Sequence, residues 1–213
     1  MSDIDVAGVF LWFIVLLFSL TVHESAHAWV ASRLGDSTAR LRGRVSLNPI
    51  VHADPIGTVA FPLIALLTGA PLIGWAKPVP VDVRQLRNPR RDYMLVAAAG
   101  PVSNMMLAVA AALIRLVIPI SPMQLGEPNV TAPVAALLTR AVQLNILLAL
   151  FNLIPVPPLD GSNILAGLLP PSLGRVMVWL RPYGFLILYA LMLTGVLEFI
   201  IGPASVRLAS WLL

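Results

Sequence analysis

Apolar residues run from Val6 to Leu20 without a single charge, and polar side chains appear only as the run continues into "TVHESAHAWV", Thr21 to Val30. A membrane-spanning helix needs about 20 mainly apolar residues. The pattern predicts a first span over Val6 to Ala31. Further spans are predicted over Tyr93 to Ile118, Val134 to Leu153 and Tyr183 to Ile201. Leu168 to Leu180 and Ser205 to Leu213 are apolar but shorter, and read as interfacial segments. The stretch Ile56 to Gly74 is apolar too, yet Gly57, Pro62, Gly69, Pro71 and Gly74 interrupt it. Between the spans lie two basic loops. One carries Arg33, Arg40, Arg42 and Arg44 in a Gly-, Asn- and Pro-containing stretch that predicts turns and short strands. The other carries Arg84, Arg87, Arg90 and Arg91.

These loops orient the chain. Basic residues flanking spans mark the cytoplasmic side, so both loops are predicted there. Ile56 to Gly74 then leaves that side and returns to it, with too few residues for two crossings of about 20 each. The prediction is a re-entrant hairpin, which glycine and proline permit where protein or water satisfies the backbone. The alternative is one more simple span with the loops on opposite sides.

Composition places the chain in its class. Of 213 residues, 58% are hydrophobic and 11% charged, against about 45–50% and about 25% in soluble domains. The expectation is an all-α polytopic integral membrane protein of five to six membrane segments, with short β-strands near its site. It is expected to form one membrane-embedded domain over residues 1–213. The acidic start "MSDID" without a small-residue cleavage site predicts a retained first span. The net charge of +4 is spread over short loop clusters, which argues for the lipid bilayer as partner and against nucleic acid. The absence of cysteine excludes disulfides, thiolate metal ligands and a cysteine nucleophile.

His23-Glu24-Ser25-Ala26-His27 is an H-E-x-x-H motif. On a helix, residues four apart share a face, so both imidazoles reach one ion. Glu24 sits about 100° round the helix, where it addresses water without being a ligand. Two of the three histidines in the chain make this motif, and ionisable groups within a span are costly and functional by default. The plainer alternatives are a wetted cluster at the helix end and an interhelical hydrogen bond. A catalytic zinc site takes three protein ligands. The candidates for the third are His52, Asp54, Asp82, Glu127, Asp160 and Glu198. Asp160 has the strongest context. Pro155, Pro157 and Pro158 prevent a regular helix before it, and Gly161 permits a turn after it. Its alternative role is to cap a helix starting near Ser162. If the first span ends inside, the span from Tyr93 runs outward and that from Val134 returns. Asp160 and His27 then reach the same side.

"HESAH" followed by "NLIPVPPLDG" resembles the site-2 protease family of intramembrane zinc metalloproteases. "GWAKPVPV" and "AAAGPVSN" extend the likeness over the core of the chain. The chain looks like a compact bacterial-type member lacking PDZ and CBS domains. The resemblance implies one Zn2+ per chain, bound by His23, His27 and Asp160, with Glu24 as general base and then proton donor. Asn152 would hold substrate or stabilise the oxyanion. Trp75, Ala76 and Lys77 would begin a strand that pairs with the extended substrate. It implies transmembrane protein substrates, a place in the cell membrane, and an active site toward the cytoplasm. His52 and Asp54 have no part in the two-motif pattern. They are either accessory groups, regulatory or ligating, or stabilise their loop by hydrogen bonding. The competing function is a non-catalytic membrane metal binder or transporter, which has no need of Glu24.

Overall fold

The structure is a computed structural model that describes residues 6–61, 64, 76–118 and 131–213. It is built from helices: α1 (Val6–Leu34), α2 (Thr38–Leu41), α3 (Pro49–His52), α4 (Pro89–Val117), α5 (Thr131–Asn152), α6 (Asp160–Leu168), α7 (Pro171–Leu180), α8 (Gly184–Leu193) and α9 (Val196–Leu212). A π-helical turn spans Pro55–Ala60, and 3-10 turns span Val83–Gln85 and Arg181–Tyr183.

Four stretches are long and apolar enough to cross a membrane: Phe10–Leu34, Pro89–Val117, Thr131–Asn152 and Ser172–Leu193. The first three match the predicted spans within a few residues. The fourth does not. Ser172–Leu193 takes in a segment expected at the interface, and the expected span from Tyr183 to Ile201 is cut in two at Gly195. That glycine has φ +74°, a left-handed conformation that stops α8 and starts α9. Residues 205–212, also expected at the interface, belong to α9, whose Leu208 and Leu212 pack against a core of α4 and α5 residues. The short strands expected in the first basic loop are absent: residues 38–41 and 49–52 are helical turns, and no β-strand occurs among the described residues. Local hydrogen bonds explain this. The side chain of Asn48 caps α3 through Ile50 N–H, and Asp54 caps the π turn through Ile56 and Gly57 N–H.

α4 is the hub, packed against α1, α5 and α6. Its inward face is small, with Ala97, Gly100, Ala108, Ala111 and Ala112 all buried. Small residues let helix backbones approach where lipid supplies no hydrophobic drive. The outward faces carry the bulk instead. Phe10, Ile14 and Phe18 of α1 are exposed at a spacing of four, as are Val102 and Met106 of α4. Polar side chains go inside: Ser19, His23, Asn104 and Asn145 are buried.

The two basic loops meet at the C-terminal end of α1. Asp36, fully buried, accepts from Thr38 N–H and Asp82 N–H, each at 2.8 Å. Arg87 N–H donates to Leu34 O. Gly35 has φ +119°, and a Cβ there would lie 2.8 Å from Gln85 O. In the second loop Arg84 and Gln85 hydrogen-bond Asp82 and hold its carboxyl down to about 2. Most of the predicted hairpin, residues 62–63 and 65–74, lies outside the described residues, as does Trp75.

Candidate metal centre

Three elements converge near the C-terminal end of α1. His23 and His27 project from one face of α1, with Nε2 atoms 3.0 Å apart. Asp160, the first residue of α6, brings Oδ2 to 3.2 Å from His23 Nε2 and 3.4 Å from His27 Nε2. The helix therefore begins at Asp160 rather than near Ser162, and no side chain caps it. Instead the Asp160 carboxylate faces the histidines. The prolines before it break α5, and the loop closes through Leu159 N–H to Val156 O and Ser162 N–H to Leu159 O. Gly161 is required for space and not for an unusual φ. A Cβ there would run into the carbonyls of Leu153 and Ile154.

The protons on the imidazoles decide what this cluster holds. His27 Nδ1 lies 2.7 Å from Val96 O, and a carbonyl only accepts, so Nδ1 carries the hydrogen. His23 Nδ1 lies 2.6 Å from Asn104 Oδ1 and donates in the same way. In its neutral form each imidazole then turns an Nε2 lone pair toward the Asp160 carboxylate. Asp160 Oδ2 is buried and accepts no hydrogen bond, although it lies within ion-pair distance of both rings. With both rings neutral, three acceptors converge with no donor among them, an arrangement that a cation between them relieves. A tetrahedral ion with bonds of about 2.0–2.2 Å spaces its ligand atoms about 3.3–3.6 Å apart. The observed 3.0, 3.2 and 3.4 Å approach that spacing. His23, His27 and Asp160 are the one group of this kind among the described residues.

Gly100 of α4 is the floor of the cluster. A Cβ there would lie 2.5 Å from Nε2 of both histidines. Glu24 stands beside the cluster, outside the ligand set, and its Oε2 accepts from Val79 N–H at 3.2 Å. The segment holding Val79, residues 76–82, has no partner strand among the described residues. It is tied down by Lys77 N–H to His52 O at 2.8 Å.

The other sequence candidates lie apart. His52 is buried behind Ser25, with Nε2 2.8 Å from Ser46 O and 3.3 Å from Ser25 Oγ. Ser25 Oγ donates to Ser46 O as well. Asp54 caps its π turn. His52 Nε2 and the Asp54 carboxylate hold the loop, while His52 Nδ1 is buried without a hydrogen-bond partner among the described residues. Asn152 turns back onto its own helix, donating to Leu148 O at 3.0 Å. Gly100, Asn104, Asn145 and Ser19 were not among the candidates. The signal for the last three was a polar residue inside an apolar span. Only the packing shows that they meet.

The model of Peptidase family M50 matches residues 11–123 and 115–193. The chain is 39% identical over 190 residues to "Putative zinc metalloprotease YwhC" of Bacillus subtilis, covering 89% of this chain and 83% of that protein. It is 29% identical over 197 residues to "Putative zinc metalloprotease Rip2" of Mycolicibacterium smegmatis, covering 90% and 70%. It is 31% identical over 199 residues to the protein of that name from Mycobacterium tuberculosis, again covering 90% and 70%. No solved structure matches the chain.

Proposed function

The chain belongs to peptidase family M50, and from that premise we propose that it is an intramembrane zinc metalloprotease. It hydrolyses peptide bonds within or near transmembrane segments of partner proteins. The observation that carries this reading is the convergence of two imidazole nitrogens and a carboxylate oxygen beside a second carboxylate outside that group. His23, His27 and Asp160 would hold one zinc ion. Zinc supplies a Lewis acid, which acidifies water and polarises a carbonyl. Glu24 takes the proton of the attacking water and returns it to the leaving amine. Val79 N–H, bonded to Oε2, orients that carboxylate and leaves its other oxygen for the proton.

Substrate lies along residues 76–81 with its own helix unwound, since a helix engages its carbonyls in internal hydrogen bonds. The prolines limit how it pairs there. Lys77 and Val79 both donate toward the body of the protein, and Pro78 and Pro80 have no N–H. Beyond Ala76 the opposite edge, at Pro78 and Pro80, offers carbonyls only, so there the substrate contributes the N–H groups.

The site faces the cytoplasm. In support, His27 lies about two turns before the end of α1, whose last turn carries Arg33, and the two basic loops hydrogen-bond each other at that end. The same contact favours a re-entrant path for the chain between them. A cysteine at Arg87 should label from the cytoplasmic side; labelling only from outside overturns this orientation.

The test is Glu24→Gln in purified protein with a panel of membrane-helix substrates. Cleavage should fall about 10²–10⁴-fold, the range of a lost general base, while zinc content holds. Cleavage that persists with zinc bound refutes Glu24 as base. Zinc binding without cleavage of any substrate by the unaltered protein favours the metal-binder alternative.

A further inference from the structure

His23 and His27 solve the same problem by different means. Each must keep its hydrogen on Nδ1 so that Nε2 is a lone pair. His27 meets a backbone carbonyl, Val96 O, which enforces that state by itself. His23 meets an amide side chain, Asn104, at 2.6 Å. An amide flipped end for end would present its NH2 group to Nδ1. The hydrogen would then move to Nε2, where it points at the other two ligands. Asn104 alone therefore does not set the tautomer of His23; something must set Asn104.

That something is fully buried and spans three helices. Asn104 Nδ2 donates to Asn145 Oδ1 at 2.8 Å, with a longer contact of 3.4 Å to Ser19 O. Asn145 Nδ2 donates to Ser19 Oγ at 2.9 Å and to Ala141 O at 2.9 Å. Asn104, Asn145 and Ser19 are each at most 2% exposed, so no solvent competes. Ala141 O is a main-chain carbonyl and accepts only. Reading outward from it, every polarity is forced. Ala141 O takes an NH2 hydrogen of Asn145, which turns Asn145 Oδ1 toward Asn104. That takes an NH2 hydrogen of Asn104, which turns Asn104 Oδ1 toward His23. Nδ1 of His23 must then donate. Amide orientations are otherwise interchangeable by shape; here the terminal carbonyl selects one.

We propose that Asn145, two hydrogen bonds from the His23 ring, is a positioning residue that fixes the tautomer of His23 through Asn104. This rests on the reading of His23 as a metal ligand only for its consequence, not for the relay itself. Partners beyond the ligand commonly orient metal-binding histidines and are worth about 10–100-fold in metal affinity.

The chain has only three histidines, so the imidazole ¹⁵N spectrum of metal-stripped full-length protein in detergent holds three ring systems. His23 should show hydrogen on Nδ1 alone. Asn145→Leu, close in size and without polar atoms, should give His23 mixed tautomers. It should also weaken zinc binding about 10–100-fold in chelator competition. Asn145→Ala serves if the leucine variant misfolds. Asn104→Asp supplies a pure acceptor to His23 and makes the relay unnecessary. Added to Asn145→Leu, it should restore both the single tautomer and the zinc affinity, which loss of mere packing would not allow. A single unchanged tautomer in Asn145→Leu overturns the proposal, and so does failure of Asn104→Asp to rescue it. A tautomer change with unaltered zinc affinity leaves the relay standing and overturns His23 as a ligand.

Discussion

Gly100→Ala probes the centre with one carbon atom. The added Cβ would lie 2.5 Å from Nε2 of His23 and of His27, where ordinary contact begins at 3.4 Å. About 0.9 Å must be found on both sides at once. The imidazoles have little freedom to give it, because their Nδ1 atoms are held at 2.6 and 2.7 Å by Asn104 and Val96. Either the rings leave those acceptors or α1 and α4 move apart. A metal site tolerates ligand displacements of only about 0.2 Å. Zinc affinity should therefore fall at least about 100-fold, or about 2.7 kcal/mol. The metal-free fold should change much less. Overpacking costs about 1–3 kcal/mol, and replacing a helical glycine by alanine returns about 1 kcal/mol. Chelator competition gives the affinity, and thermal unfolding in chelator gives the fold. Gly202→Ala is the control: its Cβ meets only Glu198 Cγ at 3.8 Å, and both readings should hold or improve. If Gly100→Ala binds zinc as tightly as the unaltered protein, the ion does not sit between these two histidines.

Asp160→Asn should separate binding from stability. The amide can donate to the facing Nε2 lone pairs, so the melting temperature in chelator should rise or hold while zinc affinity drops; a fall in both would mean that the carboxylate supports the fold without metal. Asp36→Ala removes the buried acceptor of Thr38 and Asp82 N–H. At about 1–3 kcal/mol for each stranded buried donor, thermal unfolding should show a loss of about 2 kcal/mol or more, with zinc stoichiometry at one per chain. Asp82 sets a pH limit. Its carboxyl is lowered from 3.8 to about 2, first by Arg84 and then by Gln85. A lowered folded-state value means that the contribution is full above pH 4 and fades only as pH falls toward 2. Amide exchange at residues 82–85 should be insensitive to pH between 7 and 5 once the intrinsic rate is corrected; a loss of protection there would contradict the Arg84 contact.

Local chemistry made part of this protein legible from its residues. The three main spans follow from apolar length, which the bilayer thickness dictates. The H-E-x-x-H face follows from helical periodicity, a rule that operates over four residues. Asp160 followed from its prolines, since an acidic residue on broken backbone inside an apolar chain needs a partner. What stayed hidden depends on pairing across distance. Ser19, Asn104 and Asn145 are single polar residues in separate spans, 85 and 126 positions apart by their contacts, and no periodicity links them. The value of Gly100 was invisible for the same reason: what its missing Cβ leaves room for belongs to another helix. The last two helices were misdrawn because apolar composition runs straight through Gly195, and only its left-handed backbone divides them.

The sequence by itself determined the first three long helices and the chemistry they carry, because bilayer length, helical repeat and proline act on neighbouring residues. The tertiary structure alone decided that three acceptor atoms share one space and which nitrogen of each histidine keeps its proton. Those are properties of facing surfaces, and a surface acquires its partner only when the helices pack.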